Sequence, residues 1–197
     1  IIATLGRPTS IAWNGTAVGV GMAAGGIALQ AGSLTLARPN DNDEAGFALT
    51  SGDIDGDGTP EWILGAPSAR SVHIVDSSTL NILSTITSDS SGFGAALCAA
   101  DFDGNGIDEV LVGAPSSSLT QGDVMLYGAS MGSLSLQSTW TGDALGDRLG
   151  TSVDCSDQVA AMGAPGGSTR LGYVQVEAAD AIVAAMAGSA SRPAPRQ

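Results

Sequence analysis

Lysine is absent from the 197 residues, and histidine occurs once. The basic side chains are seven arginines against twenty acids, a formal charge of −13. Phosphate backbones and anionic lipid headgroups are held by dense basic patches, and a surface of this sign repels them. Two cysteines, Cys98 and Cys155, are too few for a disulfide-stapled scaffold and lack the spacing of a zinc site. They are expected as free, buried thiols, with one bridge as the alternative. Aromatics make up only 4% of the chain while glycine supplies 28 residues, about twice its usual ~7% share, which argues against long helices and coiled coils. No apolar run approaches the ~20 residues of a membrane-spanning helix. The first residue is Ile1 rather than Met, so the expectation is a processed chain or a piece of a longer one. What the composition does supply is aspartate, whose natural partner is a metal cation.

Repeats organise the rest. Gly-Ala-Pro recurs at 65–67, 113–115 and 163–165, in steps of 48 and 50 residues. A second marker, Ala45-Gly46, Phe93-Gly94 and Leu149-Gly150, starts eight residues before Asp53, Asp101 and Asp157. A worn copy runs from Leu5-Gly6 to Gly21-Met22-Ala23. Four units of about 48 residues fill the chain.

The unit containing Phe93 reads as four strands: Phe93 to Ala99, the apolar Glu109 to Gly113, Asp123 to Tyr127, and Leu134 to Thr139, which alternates with period two. Matching segments are Glu61 to Leu64, Ser71 to Val75 and Ile82 to Thr87 in the second unit. They are Val159 to Met162 and Gly172 to Val176 in the fourth, and Ile27 to Gln30 and Ser33 to Ala37 in the first. Four-stranded repeats of ~40–50 residues are the pattern of all-β propeller blades, which bury their faces against each other. A β-sandwich with accidental Gly-Pro turns would not place two separate markers at matched offsets. The expected blades span about 1–39, 40–87, 88–140 and 141–187, followed by a Pro/Ser-rich tail over 188–197.

Between the first and second strands of the middle units lie two loops with the pattern D-x-[DN]-x-[DN]-G. One carries Asp53, Asp55, Asp57, Thr59 and Glu61; the other carries Asp101, Asp103, Asn105, Ile107 and Glu109. Oxygens at positions 1, 3 and 5, a carbonyl at position 7, and glycine where the chain turns at position 6 suit a hard cation such as Ca²⁺; Mg²⁺ would keep more water. An EF-hand needs Glu at position 12 and a following helix, but Leu64 and Val112 stand there inside apolar strands. Glu61 and Glu109 at position 9 can close the shell instead. The outer units lack the cage: Asp157 lies only 6 residues before Gly163, against 12 from Asp53 to Gly65, and the first unit offers Trp13-Asn14-Gly15-Thr16 without an acid. Two calcium ions are expected, one in each middle unit.

Phe93-Gly94 with Gly113-Ala114-Pro115, and Gly46 with Gly65-Ala66-Pro67, resemble the FG-GAP repeats of integrin α-subunit propellers and their bacterial extracellular relatives. The resemblance extends over all four units and is strongest in the middle two. It implies strand-loop-strand calcium sites, in which the family usually has Asp where Glu61 and Glu109 stand here. It also implies an extracellular, non-catalytic module for adhesion or assembly. Two other readings remain open: an accessory propeller of a secreted hydrolase or lyase whose catalytic residues lie elsewhere, and a structural subunit of a surface particle or filament. Integrin-like rings have seven blades and this chain supplies four, so a partial propeller completed by partner blades is expected over a small closed ring.

No catalytic constellation competes. The single His73 lies in Ser-Val-His-Ile-Val and reads as a strand residue at a blade surface; no nucleophile elbow, phosphate loop or dinucleotide fingerprint occurs. Up-and-down strand order puts the strand 2-to-3 and 4-to-1 connections on the rim opposite the metal loops. That rim comprises 38–44, 68–70, 88–92, 116–121, 140–148 and 166–170. Arginine and aromatic residues are enriched at binding hot spots, which makes Arg70, Trp140, Arg148 and Arg170 the candidates for a protein or glycan ligand.

Overall fold

The computed structural model describes residues 8–22, 27–29, 44–115, 121–130, 132–166 and 171–188. They form four antiparallel sheets in sequence order. The first holds β1 (Pro8–Trp13), β2 (Val18–Met22) and β3 (Ile27–Leu29); the second holds β4 (Ala48–Gly52), β5 (Glu61–Ala66), β6 (Ser71–Val75) and β7 (Ile82–Thr87). The third holds β8 (Ala96–Ala100), β9 (Glu109–Ala114), β10 (Asp123–Ser130) and β11 (Ser133–Thr141); the fourth holds β12 (Ser152–Ser156), β13 (Val159–Ala164) and β14 (Tyr173–Ala178), followed by the helix α1 (Ala179–Met186). Strands run up and down in order within every sheet, and β1, β4, β8 and β12 pack side by side in turn. These are the blades of a β-propeller.

Each pair of neighbouring sheets encloses its own core. Leu49, Trp62, Leu64 and Val75 lie between the first and second sheets, and Ile63, Val72, Ile74, Val110, Val112 and Tyr127 between the second and third. Between the third and fourth lie Leu111, Val124, Leu126, Met162 and the α1 residue Ile182. Strands β5 and β9 are buried along their whole length because both faces meet a neighbouring sheet, which is why they read as unbroken apolar runs. Full burial of each such side chain contributes about 1.5–3 kcal/mol.

The two repeat markers hold these sheets together. Within a unit the backbone N–H of the first-marker glycine donates to the carbonyl of the Gly-Ala-Pro glycine: Gly46 to Gly65 at 2.9 Å, Gly94 to Gly113 at 3.1 Å and Gly150 to Gly163 at 3.1 Å. Between units, the carbonyls of Gly46, Gly94 and Gly150 lie where a Cβ on Gly21, Gly65 and Gly113 would stand. Gly94 itself has φ +91°, a conformation that side chains disfavour. One glycine therefore turns the chain, and the other lets the turned carbonyl reach the next sheet's backbone. Phe93 is fully buried beside them, edge-on to Tyr127 at 5.9 Å between ring centres.

Four expectations change. The segment from Phe93 begins as a turn and becomes a strand only at Ala96, because Gly94 bends the chain. The fourth sheet has three strands among the described residues rather than the expected four: α1 follows directly on β14, and its buried Ile182 packs against the core shared with the third sheet. Cys98 and Cys155 are not free thiols: they form a disulfide, because adjacent inner strands β8 and β12 bring their Cα atoms to 5.9 Å. His73 is buried rather than at a surface, with its ring nitrogens at the hydroxyls of Thr85 (2.9 Å) and Ser71 (3.3 Å). The segment Ser33 to Ala37 lies outside the described residues.

Candidate metal centre

The loops between β4 and β5 and between β8 and β9 wind in the same way. Gly56 and Gly58 have φ of +81° and +85°, and Gly104 and Gly106 have +74° and +86°, which lets each loop curl around its first aspartate. Asp53 accepts hydrogen bonds from the N–H groups of Gly56 (2.7 Å) and Gly58 (2.8 Å), and Asp101 from those of Asn105 (3.0 Å) and Gly106 (2.9 Å). The alternating residues Ile54 and Phe102 point down into the inter-sheet cores and anchor the loops from below.

This winding brings three carboxylates together in each loop. Asp53, Asp55 and Glu61 place an oxygen apiece within 4.8 Å of one another, and so do Asp101, Asp103 and Glu109. Glu61 and Glu109, the first residues of β5 and β9, are only 3% and 1% exposed. Each accepts a hydrogen bond from the backbone above a core side chain: Glu61 from Ile54 at 2.9 Å and Glu109 from Phe102 at 3.1 Å. Burial, reinforced by the neighbouring aspartates, pushes both glutamates up to about 7. An all-oxygen set of clustered acids, half sunk in the core, matches the donor chemistry of a hard divalent cation.

The other ligand candidates occupy different places. Asp57 and Asn105 are exposed and accept from the N–H groups of Thr59 and Ile107, both at 2.7 Å. Thr59 is exposed and Ile107 half-buried within the same turns. In the first unit, Asn14 caps a tight turn by accepting from Ala17 N at 2.8 Å and Thr16 N at 3.1 Å. In the fourth, Ser156 pairs with Val159, leaving Asp157 in a two-residue hairpin with no room for a cage.

The two loops are also joined. Asp108 accepts a hydrogen bond from Asp53 N at 2.9 Å and donates its own N–H to Asp53 O at 2.7 Å, so the third unit grips the first aspartate of the second-unit loop. Burial raises the Asp108 carboxyl above its ordinary range. A Cβ on Gly52 would sit 2.7 Å from its Oδ2, so that glycine makes room for the brace. The sequence signal for it is a fourth acid, beside Glu109, in a loop whose counterpart has Pro60 at that position.

On the opposite rim, Arg70 is exposed with its guanidinium 3.4 Å from Asp89 O, and half-buried Arg148 donates to Gly166 O at 3.0 Å. Trp140, expected as a contact residue of that rim, is instead buried: at 9% exposure it packs with Leu149 and Leu126 in the core. Arg170 lies outside the described residues.

No curated protein matches the chain. In fold it is similar to the crystal structure of the computationally designed Ika4 protein, at 19% identity and a TM-score of 0.55, over 88% of this chain and 91% of that one. Residues 93–127, which span the Phe93-Gly94 turn, the third-unit acidic loop and the Gly113-Ala114-Pro115 marker, match the FG-GAP repeat.

Proposed function

We propose that the chain is a calcium-stabilised, integrin-α-like propeller module that works by binding and assembly, without catalysis of its own. The observation that carries this reading is the pair of matched clusters, each with a glutamate buried beneath two aspartates. Without a cation, the glutamates resist ionising beside their neighbours. A divalent ion would neutralise that repulsion, held by Asp53, Asp55 and Glu61 in one loop and Asp101, Asp103 and Glu109 in the other. Asp57, Asn105 and the carbonyls of Thr59 and Ile107 would complete the shells.

The Cys98–Cys155 bridge supports a secreted or cell-surface location, since disulfides persist in oxidising compartments. The metal-free rim would then receive a protein or glycan ligand, with Arg70 and Arg148 as its cations. Calorimetry tests the metal assignment: Asp55→Ala is expected to weaken calcium binding, and Asp157→Ala to leave it unchanged. Equal losses from both would refute the assignment of the sites to the middle units.

A further inference from the structure

Among the described residues, the first and fourth sheets each present one half of a blade–blade interface on which no other described residue is seated. In the second and third units, the residues paired with the motif glycine, Val72 and Val124, are fully buried against the next sheet. So are the pairs Ile63–Ile74 and Leu111–Leu126 beside them. The corresponding residues of the fourth sheet are Val174, paired with Gly163, and Ala161–Val176. They are apolar as well, yet Val174 is 65% exposed and Val176 60%.

The opposite half recurs in the first sheet. Leu49–Leu64 and Leu97–Val112 face the preceding sheet in the second and third units, and Ile11–Val20 is their counterpart in the first. Its neighbouring pair is Trp13–Val18. Ile11 is 72% exposed and Trp13 61%. Exposed apolar faces of this kind mark association sites.

We infer that these faces join head to tail between two copies of this chain, with Val174 and Val176 of one seated on Ile11 and Trp13 of the other. Volume favours the second copy as the occupant. Ala161 is smaller than Ile63 and Leu111 at the same position, and so is Gly19 of the first sheet, against which Trp62 of the second sheet packs; the Trp13–Val18 pair offers one tryptophan to Ala161 as the Ser51–Trp62 pair offers one to Gly19. A head-to-tail contact forms a closed assembly only if its rotation closes. Two copies place eight sheets about one axis, within the four to eight blades usual for propellers.

This inference rests on the blade packing alone and not on metal. Light scattering coupled to size-exclusion chromatography tests it. The wild-type chain is expected at twice the monomer mass at micromolar concentration, in calcium and in chelator alike. Ile11→Arg and Val174→Arg are each expected to halve that mass, and the two variants should give folded, cooperative circular dichroism melts that match each other because both positions are exposed. Mixing the two variants leaves one intact pair of faces, so a dimer should return in the mixture. A monomeric wild type, dependence on only one of the two faces, or a mixture that stays monomeric would overturn the inference. Should Val174→Arg misfold, Val176→Thr is the substitute, with weaker association expected and unchanged association contradicting it.

Discussion

Opening the Cys98–Cys155 bridge should destabilise the chain more than any single contact it makes. The two cysteines lie 57 residues apart, on the inner strands of the third and fourth sheets. Closing a loop of that size in the unfolded chain removes conformational entropy equivalent to about 4 kcal/mol. In a chain of this length each kcal/mol moves the melting temperature by roughly 2–4 °C, so the loss corresponds to about 8–16 °C. Urea unfolding of three samples measures it: the oxidised wild type, the wild type in reductant, and the Cys98→Ala/Cys155→Ala double variant. The last two should unfold together, well below the first, and the oxidised protein should show no titratable thiol. Two reactive thiols in protein purified without reductant, or a double variant within ~1 kcal/mol of the oxidised form, would refute the reasoning, since native bridges typically contribute 2–5 kcal/mol.

In chelator, the glutamates at about 7, against an ordinary 4.5, bind protons more tightly folded than unfolded. Their stabilisation is therefore full below about pH 4.5 and lost as pH rises through 7, by roughly 1–2 kcal/mol each after screening at the loop surface. Urea midpoints in chelator should fall between pH 5 and pH 8, and a flat or rising profile contradicts the buried-glutamate reading; calcium should abolish the fall. Asp108→Ala strips the acceptor from Asp53 N, at a cost of about 1–3 kcal/mol. It should weaken calcium binding in the second-unit loop, which calorimetry reads, and unchanged binding there would show that the brace does not act on the site. Gly113→Ala drives a methyl into the Gly150 carbonyl and should destabilise by about 2 kcal/mol or more in urea unfolding, whereas a neutral result would remove the glycine clasp from the account.

The sequence made some of this legible because it depends on neighbours along the chain. The spacing of Asp53, Asp55 and Glu61 already implies a curled loop opening into a strand, and the doubled markers imply a repeated clasp. The remainder depends on which residues the sheets bring together across space. Cys98 meets Cys155 only because inner strands of successive blades lie side by side. Asp108 acquires its role only where the third sheet sets it against the second. Trp140, taken for a rim residue, folds inward because the outer strand β11 ends over the core that Leu149 and Leu126 share. The stretch after β14 does carry a helix signal, since alanine is the strongest helix former, Asp180 stands in the first turn and Gly188 follows the end; the expectation of a blade reaching 187 passes over it, and α1 forms there with Ile182 buried.

Calcium titration calorimetry on the wild-type chain, paired with thermal melts before and after chelation, tests the central claim most directly. The account predicts two ions bound per chain and a melting temperature that falls on chelation, because an ion held only by the native state stabilises it. An absence of binding heat, together with a melt unmoved by chelator, would reduce both acidic loops to solvated turns and contradict the account.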